Sequence, residues 1–228
     1  MREPQAKIML ARYYSAQLGR FLSVDPSLKI GKNLDDPQRW NRYTYSRNNP
    51  IKFFDPDGRN AVTSVDTKAK TISVTVNVTL AGGTAQQAGK FQGDANAKWG
   101  GQSTVTGKDG SKWTMNVQVN ATNDPSKFSA TDNPNTVQVS DSGKTEMTSS
   151  NQGTLNSKDL DNPSTAGHET GHMVGLGDQY NKDTGQPNQG KEGSMMGDPN
   201  NSDAKPTQEE KNEVGNKALE SAEKDKNP

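Results

Sequence analysis

His168 and His172 are the two histidines of this 228-residue chain, and they stand four positions apart with Glu169 directly after the first. On an α-helix, residues four apart project from the same face, so both imidazoles can bind one metal ion. A carboxylate beside that ion can take a proton from a metal-bound water, whose acidity Zn²⁺ raises enough to give hydroxide near neutral pH. The spacing therefore predicts a zinc site with Glu169 as general base.

Gly175 and Asp178 complete this arrangement. A catalytic zinc site needs three protein ligands and one open position. A glycine three residues after His172 can adopt the left-handed conformation that ends a helix, and Gly177 gives further freedom for the chain to turn back. Asp178 can then reach the metal from outside the helix. Since the chain has no cysteine, histidine and carboxylate must supply the ligands.

The composition limits the other classes of function. The 27 basic and 27 acidic residues cancel, which argues against nucleic acid or an anionic membrane as a partner bound by bulk charge. A hydrophobic content of 28% predicts a modest core. The first residues lack the apolar run of a secretory signal, and no stretch approaches a membrane span. Secretion would therefore use a specialised system.

Elements that precede the histidine pair can position it. Alternating apolar and polar residues predict a half-buried strand over 70–80. Residues 84–98 predict a helix capped by Thr84. The segments "STVTG" and "SKWTMNVQVNA" predict a hairpin, and 135–140 a further short strand. The remainder of 120–163 is rich in Asn, Asp, Ser and Thr and is predicted to be mostly loop.

Two later helices have recognisable start signals. Asn162 followed by proline predicts the start of the histidine-bearing helix, which should run to about Leu176. Thr207 and Glu210 form a capping box that predicts a C-terminal helix with a thin apolar stripe.

The extended pattern H-E-x-x-H-x-x-G-x-x-D resembles that of the metzincin-like zinc peptidases, with aspartate where most members have a third histidine. That family also has a methionine-bearing turn below the metal. Here "GSMMG" at 193–197 fits, with Met196 at the usual Ser-x-Met spacing. The resemblance implies the following set: metal ligands His168, His172 and Asp178, base Glu169, and Met-turn residue Met196.

The same resemblance implies a fold and an activity. The fold would be α+β and zincin-like, with a small mixed sheet whose edge holds an extended peptide. The activity would be that of a Zn²⁺-dependent endopeptidase. Tyr180 has two alternative roles: it could donate its hydroxyl to the oxyanion formed from the scissile carbonyl, or pack beneath the following loop.

The N-terminal quarter carries a second resemblance. "RYYSAQLGRFLSVDP" at 12–26, "NRYTYSRNNP" at 41–50 and "DPDGR" at 55–59 resemble the end of the core of Rhs/YD-repeat proteins. In that family the core forms a β-rich shell around a variable C-terminal toxin, and a proline followed by Asp-Pro-x-Gly marks where the toxin is released. Pro50 and the motif fit, whereas Arg59 stands where the family usually has leucine.

This second resemblance implies a core remnant over 1–59 and a zinc metallopeptidase toxin domain over 60–228. The partners would be a protein or peptide substrate, a cognate immunity protein and the parent Rhs shell. Delivery would be into a target cell. The alternatives are a metal-binding module without catalysis, a structural fragment of the shell, a turn-rich linker over the first 59 residues, and a helix whose histidines only cap or pack.

Overall fold

The computed structural model describes residues 7–9, 12–15, 20–21, 61–129, 132–149 and 151–224. The chain divides into two compact units, 1–58 with 225–228 and 59–224, and each is described by itself. In the first unit, β1 (Lys7–Met9), β2 (Arg12–Ser15) and β3 (Arg20–Phe21) form an antiparallel sheet in that order.

The turns and the release motif predicted between residues 25 and 59 lie outside the described residues. The division of the chain into a core remnant and a toxin domain stays a prediction.

The second unit is mixed α/β, with a seven-stranded mixed sheet and three α-helices among its described residues. The strands are β4 (Ala61–Asp66), β5 (Thr71–Ala81), β6 (Gly101–Thr106), β7 (Lys112–Thr122), β8 (Asn135–Ser140), β9 (Glu146–Ser149) and β10 (Gln152–Asn156). The helices are α1 (Ala85–Trp99), α2 (Pro163–Met173) and α3 (Gln208–Lys224), with short 3-10 turns at Pro125–Lys127 and Ser157–Asp161. The predicted combination of helices with a small mixed sheet is confirmed, whereas the zincin-like arrangement stays a prediction.

Strand β5 lies at the centre of the sheet, whose order is β6-β7-β5-β8-β10-β9 with β4 also paired to β5. The predicted strand is confirmed, and Ile72 and Leu80 on its apolar face are fully buried. It is more buried than predicted, because Asn77 and Thr79 on the opposite face are also covered. Asn77 is satisfied there by Asn120, whose Nδ2 donates to Asn77 Oδ1 at 2.9 Å.

Helix α1 begins at the predicted cap, Thr84. Thr84 Oγ1 accepts from the Gln87 N–H at 3.2 Å, and Gln87 Oε1 accepts from the Thr84 N–H at 2.8 Å, which completes a capping box. The buried face consists of Ala88, Phe91, Ala95 and Trp99. Ala85 is exposed in the first turn. The helix thus covers the sheet through its last three turns.

The prediction of mostly loop over 120–163 is wrong, because β9 and β10 form a hairpin there. β10 pairs in parallel with β8, so backbone hydrogen bonds fix a segment whose composition is polar. Gly153 permits the close pairing, because a Cβ at this position would lie 2.7 Å from the Glu146 carbonyl oxygen. This hairpin extends the sheet beside α2, and β9 forms its edge.

Helix α3 packs against β6, at the opposite edge of the sheet from the β9–β10 hairpin. Val214 and Ala218 are buried, and a Cβ at Gly215 would lie 2.7 Å from Val105 Cγ2. The predicted start is confirmed: Thr207 Oγ1 accepts from the Glu210 N–H. Among the described residues, no helix has both the length and the apolar character needed to cross a membrane.

Candidate metal centre

Helix α2 carries both histidines, and its start is tied to the rest of the unit. The Asn162 side chain caps it by accepting from the Ser164 N–H at 2.9 Å, as the sequence predicted. Ser164 Oγ donates to the Asn201 carbonyl at 2.7 Å. At the middle of the helix, Trp99 Nε1 donates to the Gly167 carbonyl at 2.7 Å in a fully buried contact. These bonds fix the helix along its length.

The end of α2 turns the chain back toward the histidines. Gly175 has φ of 103°, the left-handed conformation predicted for it. Its N–H bonds to the His172 carbonyl at 2.9 Å, and the Leu176 N–H bonds to the Gly171 carbonyl at 2.8 Å. These two bonds form a Schellman motif. The helix therefore ends at Met173 and not at Leu176 as predicted, because the terminating motif occupies the last three positions.

The structure brings His168, His172 and Asp178 together. The two Nε2 atoms lie 3.1 Å apart. Asp178 Oδ1 lies 3.3 Å from His168 Nε2 and 3.1 Å from His172 Nε2. These three residues form one cluster whose ligand atoms lie close enough together to hold a single metal ion. Within the described part of the chain, it is the one cluster of this kind.

The size of this triangle suits a tetrahedral ion. With zinc bonds of about 2.0–2.1 Å and tetrahedral angles, neighbouring ligand atoms are about 3.3 Å apart. The three observed separations, 3.1, 3.1 and 3.3 Å, are close to that value. Two imidazoles and one carboxylate are also the ligand types that Zn²⁺ accepts, with the fourth position open. The residues present therefore fit a zinc ion.

Backbone carbonyls hold both imidazole rings by their other nitrogen. His168 Nδ1 lies 3.0 Å from the Met195 carbonyl oxygen, and His172 Nδ1 lies 3.0 Å from the Leu176 carbonyl oxygen. A carbonyl can only accept, so in the neutral ring each Nδ1 carries the proton and each Nε2 presents a lone pair. Metal-binding histidines use this second bond to set tautomer and ring orientation.

Glu169 is buried beside the ligands. Glu169 is only 4% exposed, and its Oε2 has no hydrogen-bond partner among the described residues. Burial raises the pKa of Glu169, which the charges of the two histidines oppose. A buried carboxylate with one free oxygen and a raised pKa is suited to accept a proton. Its position is consistent with the predicted role of base.

Asp178 is oriented by a lysine on its outer side. Lys182 Nζ lies 2.8 Å from Asp178 Oδ2, so the other oxygen, Oδ1, faces the imidazoles. Burial would raise the pKa of Asp178, but its hydrogen bonds with His168, His172 and Lys182 outweigh burial and hold that pKa well below its ordinary value. Asp178 is thus a carboxylate at any physiological pH, as a metal ligand must be.

Tyr180 lies at the same site, with its ring centroid 5.8 Å from that of His168. Burial raises the pKa of its hydroxyl, and the charge of Asp178 raises it further. The hydroxyl therefore stays protonated and able to donate. This proximity is compatible with both predicted roles, donor and packing residue.

The turn that carries the two methionines packs directly against α2. Met195 and Met196 are fully buried. A Cβ at Gly167 would lie 2.9 Å from Met195 Sδ, and a Cβ at Gly171 would overlap Met196 Sδ. The Gln179 N–H also bonds to the Met196 carbonyl at 2.8 Å, which joins the turn to the segment that carries Asp178. Met196 therefore packs against the helix that carries the histidines, and its role as Met-turn residue stays a prediction.

Sequence reasoning missed several residues that support the site. Gly167 and Gly171 are required for close approach of the methionine turn, although the only local sign is their own spacing of four on the helix. The backbone carbonyls that hold the imidazoles have no sequence signature. Lys182 follows Asp178 by four residues, but this segment is not helical, so the spacing gives no signal for the pair.

No protein-family model matches the chain, and no solved structure matches it. A curated protein from Bacillus subtilis subsp. natto (strain BEST195), named tRNA(Glu)-specific nuclease WapA, is 47% identical over 51 residues. The match covers 22% of this chain and 2% of that protein. The chain therefore spans a small fraction of the relative's length.

This comparison contradicts the predicted activity. The relative is named as a nuclease, and the prediction of a zinc-dependent endopeptidase with a protein or peptide substrate is wrong by this finding. The exclusion of nucleic acid as a partner no longer holds either. The error has a physical origin, since the residues that hold and activate a metal do not specify which bond is hydrolysed.

Proposed function

We propose that the second unit is a divalent-metal-dependent nuclease domain that hydrolyses RNA. The observation that carries the proposal is the triangle of His168 Nε2, His172 Nε2 and Asp178 Oδ1, with separations of 3.1 to 3.3 Å, next to a buried Glu169. The nucleic-acid substrate rests on the name of the partial relative.

Zn²⁺ is the proposed ion, since two imidazoles and a carboxylate suit it. When bound, the ion acidifies a coordinated water and neutralises charge on a phosphate. Glu169 accepts the proton of the attacking water at its free oxygen and passes it to the leaving oxygen of the phosphodiester. Lys182, with a side chain 75% exposed, adds a positive charge at the mouth of the site that attracts phosphate.

Further parts of the proposal concern the biological setting. The resemblance of 12–59 to the Rhs core supports a toxin released from a larger carrier and delivered into another cell. A nuclease toxin requires protection of the producing cell, so a cognate immunity protein is the proposed partner. The fold is proposed to be zincin-like in its histidine helix and methionine turn.

The test uses the purified full chain loaded with zinc, incubated with total tRNA and with a mixed RNA pool. Wild type should cleave RNA, and Glu169→Gln should retain one zinc per chain but lose about 10²-fold to 10⁴-fold in rate. Glu192→Gln, an exposed glutamate away from the triangle, is the matched control and should cleave normally. Intact RNA in the presence of zinc-loaded wild type would contradict the proposal.

A further inference from the structure

A buried carboxylate on α3 reaches the metal site through one peptide group. Glu210 is fully buried, and its Oε1 accepts from the Met196 N–H at 2.9 Å. The same peptide group supplies the Met195 carbonyl, which lies 3.0 Å from His168 Nδ1. In a trans peptide the N–H and the C=O point in opposite directions, so the three groups form a line from Glu210 to His168.

The helix cap alone does not account for this geometry. A capping-box glutamate needs one oxygen to accept from the N-cap N–H. Glu210 does this with Oε2, which accepts from the Thr207 N–H at 2.7 Å, and uses its second oxygen for Met196. Capping residues usually lie near solvent, whereas a buried carboxylate carries a desolvation cost that hydrogen bonds must offset. The second bond therefore has a separate role.

We infer that Glu210 is a positioning residue for His168, acting through the 195–196 peptide group as a carboxylate–peptide–imidazole relay. A carboxylate that accepts from the peptide N–H polarises the peptide and makes its carbonyl a stronger acceptor. That carbonyl fixes the Nδ1 proton of His168 and directs Nε2 toward the triangle. Carboxylates are known to act directly on metal-binding histidines in this way; here a peptide group stands between them.

His172 provides an internal control within the same molecule. Its Nδ1 bonds to the Leu176 carbonyl at 3.0 Å, in the motif that ends α2, and not to the methionine turn. A change at Glu210 should therefore affect the His168 ring and leave the His172 ring unchanged. Since the chain has two histidines, both rings can be resolved in one spectrum.

The experiment compares wild type, Glu210→Gln and Glu209→Gln by long-range proton–nitrogen NMR of the imidazoles in metal-free full-length protein at alkaline pH. Glutamine can replace glutamate in a capping box, so the cap persists while the bond to Met196 is lost. Glu209 is the matched control, because it is an adjacent exposed residue paired with Lys191. We expect the Nδ1-protonated fraction to fall for His168 alone in Glu210→Gln, with no change in Glu209→Gln.

The zinc affinity of the same proteins gives the second measurement, and only this part rests on the proposed metal-dependent function. Glu210→Gln should bind zinc about 10-fold to 100-fold more weakly, and Glu209→Gln should match wild type. Identical His168 signals in wild type and Glu210→Gln, or equal changes in both rings, would overturn the relay. Loss of RNA cleavage in wild type would instead contradict the proposed function and leave the imidazole result standing.

If Glu210→Gln does not fold, the wild-type protein still decides the question. The Met196 amide proton should exchange slowly with solvent and resonate at low field, as expected for a buried N–H bonded to a carboxylate. Rapid exchange of that proton in folded wild type would overturn the inference.

Discussion

His168 Nε2 and His172 Nε2 lie 3.1 Å apart, with the two rings at 85° to one another. Both opposite nitrogens are occupied by backbone carbonyls, so two lone pairs face each other with Asp178 Oδ1 beside them. Three acceptors in contact repel one another unless a proton or a metal ion lies between them. The arrangement therefore suits a bound cation.

Asp178→Asn should weaken zinc binding by more than about 100-fold, because it replaces a charged ligand. Loss of a residue that only supports a ligand already lowers metal affinity about 10-fold to 100-fold, and loss of the ligand itself should cost more. Affinity can be measured by competition with a chromophoric chelator. Asp183→Asn is the control: this exposed residue lies five positions later and outside the triangle. Equal affinities for the two variants would remove Asp178 from the ligand set.

Zinc affinity should increase with pH through the imidazole range. Burial lowers the pKa of His172, but its hydrogen bond to Asp178 and the charge of Glu169 outweigh burial and raise that pKa overall. Zinc must displace this proton, so below the raised pKa the affinity should change by about tenfold per pH unit. A chelator competition series over pH checks this, and a flat profile would contradict it.

The raised pKa of His172 should also make the stability of the metal-free protein depend on pH. A raised folded-state pKa stabilises the protein below the unfolded-state pKa of about 6.5. That stabilisation is lost as the pH rises through the higher folded-state value of His172. Chemical unfolding of metal-free wild type should show this loss. Asp178→Asn removes the main group that raises the pKa, and should show a smaller change.

Gly171→Ala should destabilise the protein by about 1–3 kcal/mol, the usual cost of overpacking. The added methyl group would overlap Met196 Sδ in a fully buried contact. Gly93→Ala is the matched control in the middle of α1, where a Cβ would meet no atom of the described part of the chain within 4 Å. Gly93→Ala should stabilise the protein by about 0.4–1 kcal/mol, because alanine restricts the unfolded chain more than glycine does. Urea unfolding measures both, and a similar effect for the two would refute the close packing of the methionine turn.

Tyr180→Phe should retain zinc and substrate affinity but lower the rate of RNA cleavage about 100-fold, if its hydroxyl donates to charge that develops on the phosphate. The ring lies 5.8 Å from that of His168, and phenylalanine preserves its packing. Steady-state kinetics should therefore show a change in kcat and none in KM. An unchanged kcat would assign Tyr180 to packing alone.

Local signals in the sequence predicted the parts of the site that depend on local structure. Three features depend only on residues a few positions apart: the Asn162 cap, the left-handed Gly175 and the spacing of the histidines. A local sequence pattern can therefore specify them. The Met196 N–H and the carboxylate of Glu210 are 14 residues apart along the chain and meet only after α3 packs. No local pattern encodes such contacts.

The strands β9 and β10 were missed for the same reason. Their polar composition favours loop, and their pairing with β8 supplies the stabilisation that local propensity lacks. The reaction was misassigned because His168, His172, Asp178 and Glu169 define a metal-activated hydrolysis without defining the substrate.

X-ray absorption spectroscopy at the zinc edge tests most directly whether two imidazoles and one carboxylate hold one divalent ion. On zinc-loaded full-length protein we expect a four-coordinate shell at about 2.0–2.1 Å containing two imidazoles. The imidazole signal should fall by half in His172→Gln. A protein that retains no zinc, or a zinc shell without imidazole scattering, would contradict the account.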